Sequence, residues 1–93
     1  MEVKFLDALE ARRREAIGLG VRLRPVPREK LLDLTHRALS GSRASDGFGT
    51  LEQLRRLDLT PEALAVDRRY TALFTDEEAD VALTRLLEAG YRF

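Results

Sequence analysis

Residues 75–93, TDEEADVALTRLLEAGYRF, hold the clearest helix of the chain, and its apolar face sets how everything else can pack. Thr75 stands three residues before Glu78, the spacing at which a hydroxyl and a carboxylate each satisfy a free backbone N–H at a helix start. Asp76, Glu77, Glu78 and Asp80 crowd the first turn, where the helix dipole favours negative charge, and Gly90 sits where a left-handed residue ends a helix. Between these ends Ala79, Ala82, Leu83, Leu86 and Gly90 recur at alternating three- and four-residue steps, with Leu87 beside them. The spacing predicts a helix over 76–89 whose apolar stripe needs a partner.

A chain of 93 residues supports a single domain, 1–93. At this length about 60–65% of the unfolded surface can be buried, so large internal cavities are not expected. The absence of cysteine removes disulfides and thiolate metal sites. No stretch reads as a signal peptide or approaches the ~20 apolar residues of a membrane span, which makes a cytoplasmic protein with no membrane partner the expectation. Fourteen Arg against two Lys, with no Asn and one Gln, fits a thermophilic source as well as a GC-rich genome. The formal charge is zero, yet residues 1–43 hold ten basic and six acidic side chains while residues 44–93 hold six and ten. The two halves can attract each other or a second molecule.

Taken in order, Phe5, Leu6, Leu9, Ala16 and Ile17 fall on one side of a helix over 3–18, with Val3 at its edge and Arg13 inside the same arc. An arginine there either lays its stem on the core and lifts its guanidinium to the rim or reaches an interface carboxylate. Gly18 and Gly20 end this helix. Leu19, Val21 and Leu23 then alternate with Gly20, Arg22 and Arg24, which predicts a short strand over 19–24 paired with 91–93 or with another chain. Pro25 and Pro27 lead into a helix over 27–40 that buries Leu31, Leu34, Thr35, Ala38 and Leu39 and turns Asp33 and the only histidine, His36, outward.

Residues 40–50, SGSRASDGFGT, predict a flexible loop in which Phe48 either tucks into the core or presents a contact. The glycines do not make a phosphate loop, because Asp46 stands where that pattern requires Gly and no Lys follows. An anion nest around Arg43 is the sharper alternative to a plain connection. Thr50 with Gln53 repeats the capping-box spacing for a helix over 51–57, and Thr60-Pro61-Glu62 opens another over 61–73, although 70–74 also fits extended chain. The predicted fold is therefore mainly α, about five helices with one short β element, around Leu6, Leu9, Leu31, Leu54, Val66, Leu83 and Leu86.

Two stretches invite comparison with DNA readers. Leu51–Asp58 and Glu62–Tyr70 have a helix-turn-helix outline without its usual turn glycine. ALTRLLEAGYRF, residues 82–93, resembles the end of a winged-helix recognition helix, which implies duplex binding; the four acids at the start of that helix oppose a phosphate backbone.

No nucleophile–base pair, ligand cluster or glycine loop survives inspection, so neither catalysis nor a cofactor or metal is expected. The expectation is a self-associating or adaptor module that binds itself as a homodimer or another protein with an acidic surface. Its candidate contact residues are Arg12, Arg13, Arg14, Val21, Arg22, Arg24, Arg28 and Phe48. Binding of nucleic acid by the same arginines is the alternative.

Overall fold

Five helices, α1 (Glu2–Gly18), α2 (Leu31–Ser40), α3 (Phe48–Gln53), α4 (Pro61–Ala65) and α5 (Asp76–Glu88), carry the chain in the computed structural model, which describes residues 1–92. Single 3-10 turns at Arg28–Lys30, Leu57–Leu59 and Thr71–Leu73 link them. No strand forms among the described residues, and no helix there is long and apolar enough to cross a membrane.

α5 packs against α4 and α2, and α1 packs against α2, α4 and the Leu57–Leu59 turn. Two apolar clusters result. Phe5, Leu6 and Leu9 of α1 meet Leu31, Leu39, Leu64, Tyr70, Phe74 and Ala82 in the first. Phe5 lies edge-on to both Tyr70 (5.6 Å) and Phe74 (5.5 Å), a ring geometry that adds to area burial. Ala16, Val21, Phe48, Leu51, Leu57, Leu59 and Leu86 form the second, and Val66 packs against both.

The expected strand over 19–24 is absent because its donors are spent elsewhere. Gly20, at φ 94°, closes α1 by giving its N–H to Ile17 O, while Val21 N–H turns back to Ala16 O at 3.1 Å. The Arg24 N–H goes to Asp46 Oδ2 at 3.0 Å. Alternation of side chains survives without a ladder: Val21 is buried and Leu23 half-buried, while Arg22 and Arg24 are exposed. The proposed mate over 91–93 fails similarly, since Tyr91 N–H returns to Leu86 O at 2.8 Å and Gly90 takes φ 86°; Phe93 lies outside the described residues.

Other boundaries moved for local reasons. Gly47, at φ 79°, starts α3 at Phe48, so Thr50 lies inside the helix and makes no cap with Gln53. The helix expected over 61–73 stops at Ala65. Asp67 Oδ1 accepts the Arg69 N–H at 2.9 Å, an Asx turn that draws the backbone off the helical path. Tyr70 and Phe74 are still buried. The capping box of α5 is present, with Glu78 N–H to Thr75 Oγ1 at 3.1 Å and Thr75 N–H to Glu78 Oε1 at 2.9 Å.

Of the expected core, Leu6, Leu9, Leu31 and Leu86 are buried and Val66 is half-buried. Leu54 and Leu83 are 44% and 38% exposed, and Ile17 is also exposed. Leu54 misses because α3 ends at Gln53, where a three-residue spacing has already drifted off the buried face. Leu83 misses because the buried face of α5 is rotated toward Glu78, Arg85 and Ala89, all of them half-buried.

Candidate binding cleft

Arg85 and Glu62 decide the shape of the surface between α1, α2 and the loop at 41–47. Glu62 is fully buried at the start of α4. Its carboxylate accepts from Ser45 N–H at 3.0 Å, from Ser45 Oγ at 2.5 Å and from Arg85 Nη1 at 3.4 Å. Arg85 in turn donates to Ala38 O at 2.6 Å and to Gly41 O at 2.7 Å, which satisfies carbonyls at the C-terminus of α2 where cations are favoured. The loop is thus pinned at both ends, and Phe48 beyond it is buried rather than presented.

Pinning the loop away from α2 leaves a cleft of about 430 Å³. Leu34 and Ala38 of α2, with Ala44 and Pro61, give it an apolar lining. This explains why Leu34 and Ala38 are only half-buried although they lie on the apolar stripe of α2. Arg13, Arg24, Arg37 and Arg43 stand around it, with Asp46 the carboxylate among the lining residues.

The four guanidiniums differ in freedom. Arg13 is half-buried and donates through Nη2 to Arg24 O at 2.6 Å. Burial holds its pKa below the ordinary arginine value against the opposing charge of Asp46. The Arg24 side chain is 85% exposed, with Asp46 Oδ2 3.9 Å from its Nε. Arg37 pairs with Asp33 at 3.1 Å on open surface, and Arg43 is exposed with no partner among the described residues. Exposed pairs of this kind are worth only ~0.2–1 kcal/mol, so an incoming anion can compete for Arg24 and Arg37.

The arginines singled out from the sequence fall in different surroundings: Arg13, Arg14 and Arg24 line a second hollow together with Glu10, and others are bound within the chain. Arg12 donates to Asp58 O. Arg28 is held by Glu10 and, at 2.8 Å, by Asp7; these hydrogen bonds raise its pKa above the ordinary value. Arg14 and Arg22 are exposed, while Arg13 and Arg24 join the cleft. Val21 is buried, and its N–H is already bonded to Ala16 O, so the 19–24 segment offers no strand edge at that residue.

Arg37, Glu62 and Arg85 are not among the candidates read from the sequence, whereas Arg43, the centre of the expected anion nest, stands at the cleft. A signal existed for Glu62, which shares a helical face with Ala65 and Val66 and so places a carboxylate on an apolar arc. His36 is half-buried instead of outward: its Nδ1 lies 2.5 Å from Glu78 Oε2 and its ring 5.1 Å from that of Phe74. Among the described residues, no group of three or more His, Asp or Glu is placed to hold a metal ion. Compared with protein-family models, curated proteins and solved structures, the chain finds no match.

Proposed function

We propose that the protein is a non-catalytic binding module that takes an acidic segment of a protein partner into the cleft between α2 and the 41–47 loop. The observation that carries this reading is four arginines around an apolar lining with one carboxylate among them. An apolar side chain flanked by carboxylates fits such a site, because the lining rewards burial while the rim rewards charge. The arginine placement favours this over a nucleic-acid surface: Arg12 and Arg28 turn to partners within the chain, and a groove tracking phosphates needs its cations in a row.

Fluorescence anisotropy tests the reading, with a labelled peptide of alternating Glu and Leu, the same peptide with Lys for Glu, and random duplex DNA, each at low and moderate salt. The acidic peptide should bind at micromolar Kd and weaken with salt. The doubly substituted Arg24→Gln/Arg43→Gln protein should bind it at least about tenfold less tightly. Equal binding by that variant would remove the cleft from the proposal, and preference for DNA would favour the nucleic-acid alternative.

A further inference from the structure

The opposite charge lies across α2 from the cleft. Leu34 and Ala38 face the cleft, whereas His36, Leu39 and Ser40 face a shallow hollow walled by Thr75, Glu77 and Glu78 at the start of α5. At ~100° per residue these two sets of positions fall on opposite sides of the helix. In the acidic turn Glu78 is committed to Thr75 and His36. Asp76, Glu77 and Asp80 are exposed and have no partner among the described residues. A molecule of zero formal charge therefore holds, among its described residues, one free and two weakly paired cations, Arg43, Arg24 and Arg37, at one side of α2 and the three unpaired carboxylates of this turn at the other. Because α2 stands between them, this turn does not reach its own cleft.

We infer that the occupant of the cleft is the first turn of α5 from a second copy of this chain, Asp76, Glu77 and Asp80 of one copy meeting Arg24, Arg37 and Arg43 of the next. The inference rests on reading the cleft as a site for an acidic segment. Asp76 and Asp80 are one helical turn apart and share a face, so both carboxylates can enter together. The capping box already fixes the turn, which lowers the ordering cost of binding. Because the turn and the cleft lie on opposite sides of α2, two copies do not engage both at once, so the contact is head-to-tail: association continues to a ring or an open chain instead of stopping at a two-fold dimer. Near-zero net charge removes the repulsion that would keep copies apart.

Light scattering across protein concentration, at low and high salt, tests this on the whole chain. The wild type should gain mass with concentration beyond a dimer and lose it as salt rises. Two variants each keep one half of the contact: Arg24→Gln/Arg43→Gln keeps the turn, and Asp76→Asn/Glu77→Gln keeps the cleft. All four side chains are exposed, and circular dichroism melts verify that both variants fold. Each variant alone should be monomeric, while their equimolar mixture should give a dimer and nothing larger, because its one intact turn fills its one intact cleft. A wild type monomeric at every concentration in low salt, a variant that still assembles alone, or a mixture that stays monomeric would overturn the inference. If the acidic peptide nevertheless enters the cleft of a monomeric wild type, the occupant is another protein and the proposed function stands; if it does not, both fall.

Discussion

At Gly47 the backbone takes φ 79°, and a Cβ there would come within 2.7 Å of Leu23 Cδ2 and 2.9 Å of Val21 Cγ1. Gly47→Ala combines a left-handed penalty of ~1–2 kcal/mol with overpacking of ~1–3 kcal/mol, for an expected loss of about 2–5 kcal/mol in urea unfolding. Gly49→Ala, in α3 with nothing within 4 Å of its Cβ, should instead gain ~0.5–1 kcal/mol. Equal effects at the two sites would mean that the 21–23 segment does not lie over Gly47. Glycine marks a left-handed helix end legibly at Gly20 and Gly90, which is how the ends of α1 and α5 could be read from sequence. The end of α3 could not, since Arg55 occupies its left-handed position at φ 58° and nothing in an arginine announces that.

At the scale of the element, α5 was legible in extent but not in rotation. Its capping box and terminal glycine are local signals, whereas the buried face includes Glu78 and Arg85, whose partners His36 and Glu62 come from α2 and α4. Reading apolar residues alone rotated the helix toward Leu83 and Leu87. Leu86→Ala, at a fully buried site, should cost ~2–5 kcal/mol, and Leu83→Ala well under ~1.5 kcal/mol. Comparable losses in denaturant titrations would restore the unrotated face.

Glu78 adds a pH dependence. Burial raises its pKa, but the hydrogen bond from Thr75 and the contact with His36 outweigh it, and the net direction is downward. A carboxylate with a depressed folded pKa stabilises above its unfolded value, ~4.3, and that contribution disappears as pH falls through the folded value. Glu78→Gln should therefore lower the midpoint of thermal unfolding at pH 7 and narrow its gap from wild type below about pH 4. A gap that stays constant down to pH 2 would show that ionised Glu78 is not what joins α2 to α5.

For the whole molecule, helical class and approximate element order followed from periodicity and caps, while the cleft depended on contacts between residues far apart in sequence. Arg85 meets the end of α2 and Glu62 meets Ser45, and neither pairing leaves a spacing to be read. Glu62→Ala would leave the nearly buried Arg85 without its carboxylate and should cost ~3–5 kcal/mol by urea unfolding. A loss under ~1 kcal/mol would assign the shape of the 41–47 loop to its own backbone.

The pinned loop also divides the exchange behaviour of its amides. Ser42, Arg43 and Ala44 are exposed and donate their N–H groups to no acceptor among the described residues, so their protons should be replaced by solvent deuterium within the dead time of a manual experiment. Ser45, the next residue, gives its N–H to a carboxylate fully shut from water. Its proton should persist until α4 itself opens, a protected amide in a stretch of glycine and serine whose composition suggests none.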